Sequence, residues 1–257
     1  MDNANQGKHI DKKSTFTFDC HPGVSCFTDC CKDVDMTLYP YDIIRLRKRL
    51  NISSEQFLNQ HTDMEFDDNF WFPRLVLKMS DNEDFSCPFL SASGCTVYDD
   101  RPFSCRSYPL ARSVKRSCSK ERQSEKYYLV CHDHCKGHQE SKTWKISEWI
   151  EQNNLHDYNE MNASWISVDT LLKSYPFDQK GMNMTLFRLL ITASYNLDNF
   201  RLLLNDEGLS KKFDIPHELK TKAKTCDITL MELGFAFIRH CLTGEPISYN
   251  NNDLFFK

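Results

Sequence analysis

In the second half of the chain, apolar residues recur at helical spacing. Between residues 185 and 205, Leu186, Leu189, Leu190, Ala193, Leu197, Phe200 and Leu204 form one stripe, which predicts a helix with that face in a core rather than a ligand-binding box. Shorter versions of the pattern predict helices over 144–152, 167–174 and 227–243, with Gly208 and Gly244 as helix ends. In the first half, Pro40 suits a first helical turn. Ile43, Leu46 and Leu50 then share a face, so a helix is expected over 40–50 with its basic residues toward water. Ser53 with Gln56 three residues on reads as a capping box for a second helix, which carries Phe57 and Leu58 inward before Thr62. Near-alternation from Phe70 to Met79, ending in the turn 81–84, predicts a strand, and 95–98 and 127–130 are shorter strand candidates. Residues 115–126, rich in Lys, Arg, Ser and Glu, read as an exposed loop. The pattern shows no internal repeat.

These elements give a mainly α fold with small β-hairpins. Its composition changes near His138, with cysteines, prolines and turns before it and amphipathic helices after it. The expected division is a disordered N-terminus over 1–15, a loop-rich cysteine region over 16–140 and a helical region over 141–257 packed on it. A chain of 257 residues buries a core without covalent staples, so the cysteines are not needed for size alone.

Charge narrows the partners. A formal charge of -4 and a pI near 6.1 offer no general attraction to nucleic acid or an anionic membrane. No stretch approaches the roughly 20 apolar residues of a membrane span, and the polar start lacks the apolar core of a secretory signal. A cytoplasmic location is the expectation, and reducing conditions there favour metal ligation over disulfides.

The chemistry lies in the cysteines, of which 10 of 12 fall between Cys20 and Cys135. The series opens with Cys20, Cys26, Cys30 and Cys31, continues with Cys87, Cys95 and Cys105, and adds Cys118, Cys131 and Cys135. Pro22 and Gly23 place the first group on a loop that points thiols inward. Adjacent side chains diverge in extended chain, so Cys30 and Cys31 are expected to serve two neighbouring centres, or one of them to stand behind the other. Cys26 with Cys30 and Cys131 with Cys135 have zinc-type spacing, and the irregular remainder suits an iron–sulfur cluster equally. Disulfides and buried structural thiols are the competing readings. Arg101 and Arg106 are placed to offset the surplus negative charge of a four-thiolate centre. His21, His132, His134 and His138 lie near cysteines and are secondary candidates. Cys118 reads as a bystander, and Cys226 and Cys241 as packing residues on helices.

The segments 18–20, 26–31, 41–43, 87–90, 94–98, 101–109 and 135–137 resemble the zinc- or iron-chelating proteins with a CxxCxxCC-type cysteine cluster, the YkgJ-type family. The resemblance spans about residues 16–140 and implies Cys20, Cys26, Cys30, Cys31, Cys87, Cys95, Cys105 and Cys135 as metal ligands, enough for two four-thiolate centres. Five residues separate Cys20 from Cys26 where the family has two or three, so Cys131 is an alternative to Cys20. Through its cysteines the family is also similar to flagellin lysine N-methylases, which pair an iron–sulfur centre with S-adenosylmethionine. This chain carries no G-x-G-x-x-G fingerprint and no radical-type Cys-x3-Cys-x2-Cys run.

The resulting expectation is a cysteine-cluster protein binding an iron–sulfur cluster, zinc or iron. A protein lysine N-methylase using S-adenosylmethionine and an electron carrier are the alternatives, and any protein partner or substrate is left unidentified.

Overall fold

A computed structural model of the chain describes residues 7–115, 124–175, 183–206 and 215–247. Cys118, Gly208 and most of the loop expected over 115–126 lie outside the described residues. The fold is mainly α with small antiparallel hairpins.

The chain forms two interleaved units, residues 1–37 with 77–163 and residues 38–76 with 164–257, so the boundaries fall at 37/38, 76/77 and 163/164 rather than near 140. The physical reason is visible in the helices Pro40–Leu50 and Ser54–His61, which belong to the helical unit although they precede most of the cysteines. Composition averaged along the chain cannot register such an insertion.

The first unit carries the cysteine loops on a small β framework. Lys8–Ile10, Ser124–Leu129 and Leu110–Lys115 form an antiparallel sheet with Ser124–Leu129 in the middle, pairing Ile10 with Tyr127 and Leu110 with Leu129. Lys8–Ile10 is therefore strand, where a frayed start had been expected to extend to residue 15, because its backbone finds a ladder on the edge of a hairpin. A second pair joins Thr15–Thr17 to Thr143–Lys145, with Phe16 opposite Trp144. Phe16, Phe18, Leu110, Tyr127, Ile146, Trp149 and Leu155 form the core, and Phe103, Tyr108, Leu129, Cys135 and Trp144 pack on its edge. The indole N–H groups are satisfied by carbonyls, Trp149 donating to Ser107 at 3.0 Å and Trp144 to Phe18 at 2.8 Å. The helix expected over 144–152 begins at Ile146, since Thr143–Lys145 is taken by that strand pairing.

The second unit is a helical bundle. Helices Pro40–Leu50, Ser54–His61, Met184–Tyr195, Leu197–Asn205, His217–Ala223 and Asp227–Thr243 bury Ile43, Leu46, Phe57, Leu190, Phe200, Leu230 and Phe237. Gly234 lets two of them touch, because a Cβ there would stand 2.2 Å from the carbonyl oxygen of Ala193. The stripe expected as one helix over 185–205 is broken at Asn196, whose side chain caps the second half by accepting from the Asn199 N–H. Gly244 ends the last helix at φ +75°. Not every basic residue of Pro40–Leu50 faces water: Arg47 is nearly buried and pairs with Asp227 at 2.6 Å. Lys48 and Arg201 also reach Asp227, at 3.0 and 2.5 Å. Of the strand expected over 70–79, only Arg74–Leu77 is extended, paired with Thr62–Glu65, and Leu75, Val76 and Leu77 are all buried rather than alternating. The stretch expected over 167–174 belongs to the longer helix Leu155–Ser174. No helix among the described residues is long and apolar enough to cross a membrane.

Candidate metal centre

Hydrogen bonds between loops tie together the segments that carry the cysteines of the first unit. Asp29–Cys31 winds into a single 3-10 turn, entered through Thr28 at φ +73°. Its exit pairs with a distant segment: Cys87 N–H donates to Cys31 O at 2.7 Å, Asp33 N–H to Phe85 O at 3.0 Å, and Lys32 bridges to Ser86. Thr28, Asp33 and Phe85 all hold positive φ without being glycine, so backbone strain concentrates beside the cysteines, as it does at functional sites. The hairpin Leu90–Ser91 with Gly94–Cys95 sets Cys95 opposite Leu90, close after Cys87. Cys105 sits on the short helix Phe103–Ser107, its sulfur 3.7 Å from that of Met36.

A second set of bonds draws in the far end. Asp19 N–H donates to Gly137 O at 3.0 Å, and a Cβ at Gly137 would lie 2.5 Å from Asp19 O and 2.8 Å from the Phe18 ring. Only glycine permits this approach, which holds Cys20 and Cys135 on neighbouring segments. Lys136 N–H donates to the Cys26 sulfur at 3.1 Å.

The electrostatics record two neighbourhoods. Partial desolvation and then the nearby Cys30, Cys135 and Cys26 push the Cys20 thiol up to about 11. Cys31 is pushed up by its hydrogen bond to Cys30, by desolvation, and by Cys30, Cys87 and Cys105. The same bond brings Cys30 down to about 7. Cys87 and Cys95 are raised by burial, and both also feel Cys30. Cys20 thus feels Cys30, Cys135 and Cys26, and Cys31 feels Cys30, Cys87 and Cys105, with Cys30 common to both neighbourhoods. A 3-10 turn rather than extended chain sets the directions of Cys30 and Cys31. Among the described residues no three Cys, His, Asp or Glu side chains share a metal-binding geometry, so the sulfurs are neighbours without closing on one point.

The donor chemistry fits a thiolate-bound metal. The Cys26 sulfur accepts from the Lys136 N–H at 3.1 Å, and the backbone N–H groups of Phe89 and Leu90 lower the Cys87 thiol as that of Val97 lowers Cys95, against the rise that burial causes in both. Such bonds favour the charged form of sulfur, as a ligand requires. Arg101 lowers Cys95 and is itself close to Cys105 and Cys95. Arg106 is used differently from the expectation: it is buried, and its two terminal nitrogens donate to the carbonyls of Asn153, at 2.8 Å, and Asp99. The 11 described cysteines are thiols with no disulfide among them.

The remaining candidates stand outside these groups. His21 accepts from Gly23 N–H and faces Glu140 at 3.7 Å. His132 stacks between Tyr108 and His134. His138 lies 3.9 Å from the Cys131 sulfur and 3.2 Å from the Tyr108 hydroxyl. Cys226 precedes the helix Asp227–Thr243, and Cys241 lies within it.

Residues 19–136 match the family model CxxCxxCC, described as “Putative zinc- or iron-chelating domain”. No curated protein and no solved structure matches the chain.

Proposed function

We propose, from the match of residues 19–136 to the CxxCxxCC family model, that Cys20, Cys26, Cys30 and Cys135, with Cys31, Cys87, Cys95 and Cys105, bind metal as thiolates. The supporting observation is the Lys136 N–H that donates to the Cys26 sulfur at 3.1 Å, beside which backbone N–H groups lower the Cys87 and Cys95 thiols. An N–H directed at a thiol gains little, whereas one directed at a thiolate is a charge-assisted bond. Burial and neighbouring thiols raise Cys20, Cys31, Cys87 and Cys95, so ligation there releases protons and strengthens as pH rises.

The ligands come from separate loops at irregular spacing, which suits an iron–sulfur cluster, with zinc or iron ions as the simpler form. Arg101 offsets the charge in either case. Metal then ties together four loops that otherwise rest on a few backbone hydrogen bonds, so its binding free energy stabilises the first unit.

The experiment is anaerobic purification of the full chain, followed by an absorption spectrum and analysis for iron, zinc and acid-labile sulfide. Iron with sulfide and a brown colour supports the cluster form, and zinc in a colourless protein the ion form. Protein that holds neither metal and takes up neither on reconstitution overturns the proposal.

A further inference from the structure

Cys131 stands at the surface with an imidazole against it. Its sulfur lies 3.9 Å from His138 Nδ1, and the other ring nitrogen, Nε2, lies 3.2 Å from the Tyr108 hydroxyl. A tight turn sets up this approach: Cys135 N–H donates to His132 O at 2.9 Å, and the 3-10 helix Lys136–Gln139 then carries His138 back toward Cys131. The imidazole is held in place. Phe18, a buried core ring, meets it edge-on with centroids 5.2 Å apart, and Tyr108, itself stacked against His132, meets it edge-on at 6.0 Å. A thiol beside an imidazole whose far nitrogen is tied to a third group is the arrangement that activates a cysteine nucleophile.

We propose that Cys131 is a reactive thiol, with His138 as its general base, that undergoes exchange with small disulfides. Nε2–H donates to the Tyr108 oxygen, which leaves the Nδ1 lone pair facing the thiol. As the Cys131 sulfur attacks one sulfur of the disulfide, its proton passes to Nδ1. The disulfide's own S–S bond breaks, a new one joins Cys131 to the attacked sulfur, and the departing thiolate takes the proton from Nδ1. Cys131 is oxidised and the leaving sulfur reduced, so the disulfide is the only oxidant needed. Burial lowers the His138 imidazole, which keeps it a free base. Partial burial and Cys135 raise the Cys131 thiol, so without a base folding would slow its reaction. The inference stands apart from metal binding, since Cys131 is not among the ligands proposed above.

Bis(hydroxyethyl) disulfide, small and uncharged, is the probe. It is added to the full chain, the reaction is quenched with acid at intervals, and peptide mass spectrometry gives the rate of adduct formation at each cysteine. Cys131 is expected to react faster in the folded chain than in the urea-unfolded chain, the opposite of what its burial alone dictates. His138→Gln is expected to slow Cys131 by about 100-fold, the low end of what a positioned base supplies, and to leave Cys226, in the other unit, at its own rate. His138→Ala is expected to regain part of the lost rate when imidazole is added, which a merely structural role would not produce. Added zinc is expected to leave the Cys131 rate unchanged. Cys131 reacting no faster folded than unfolded overturns the inference, even where the histidine variants do not fold. An undiminished rate in His138→Gln, no response of His138→Ala to imidazole, or protection of Cys131 by zinc, which would make it a ligand, overturns it too.

Discussion

Replacing Gly137 with alanine should loosen the cysteine region more than its single methyl group suggests. The new Cβ would stand 2.5 Å from the carbonyl oxygen of Asp19 and 2.8 Å from the Phe18 ring, where ordinary contact begins near 3.4 Å. Neither neighbour yields easily. The first is backbone, and the second is a core ring that Tyr108, His138 and Trp149 hold edge-on. The segments must therefore separate by several tenths of an ångström, stretching the Asp19 N–H to Gly137 O bond of 3.0 Å and moving Cys20 away from Cys135. Overpacking of this kind costs about 1–3 kcal/mol. With a urea dependence of about 2 kcal/mol/M, the midpoint should fall by about 1 M, and zinc or iron should bind more weakly. Gly23→Ala is the control in the same unit. Its Cβ would meet only the His21 imidazole at 3.0 Å, a side chain at the surface that can swing aside. Urea melts of both variants, with metal and with chelator, decide the matter. A Gly137→Ala midpoint no lower than that of Gly23→Ala would refute the claim that close approach at this glycine sets the spacing of the site.

The two arginines of the RPFSCR segment should behave differently. Arg106→Gln, which strips a donor from the buried Asn153 carbonyl and another from Asp99, is expected to cost about 2–3 kcal/mol in thermal or urea unfolding. Arg101→Gln should instead lower metal affinity and, if iron is present, the reduction potential; equal effects in both assays would remove the distinction. Burial raises the Asp227 carboxyl, but Lys48, Arg201 and Arg47 outweigh it and leave it below its ordinary value. The resulting stability is present above about pH 4, the unfolded range, and is lost as pH falls through the lower folded value. Asp227→Asn should therefore destabilise the helical unit at neutral pH and flatten the acid limb of its stability curve, and an unchanged acid limb would contradict this. Asn196→Ala removes both the cap on Leu197–Asn205 and the acceptor for the Ser54 hydroxyl at 2.9 Å. It should lower stability by about 1–2 kcal/mol by chemical denaturation.

The parts of this fold that could be read from sequence are those whose signals are local. Pro40–Leu50 and Asp227–Thr243 carry a start signal, a stripe and a stop, and the structure has them at those residues. The break at Asn196 was hidden because the apolar stripe continues through it, although Asn196 and Asn199 hold the capping signal. Phe103–Ser107 follows Pro102, a usable start signal that the cysteine pattern overshadowed. At the site, residue type nominated the thiols. Their placement depends instead on long-range events, the Cys31–Cys87 backbone bond and the close approach at Gly137. The split roles of Arg101 and Arg106 likewise follow from which carbonyls lie nearby, and Asn153 and Asp99 are far from obvious partners in a linear reading.

X-ray absorption at the metal edge of the anaerobically purified chain bears on the metal reading without intermediaries. A first shell of sulfur alone, at about 2.3 Å, is the predicted result. A shell dominated by oxygen or nitrogen, or a protein with no zinc or iron to measure, would contradict it.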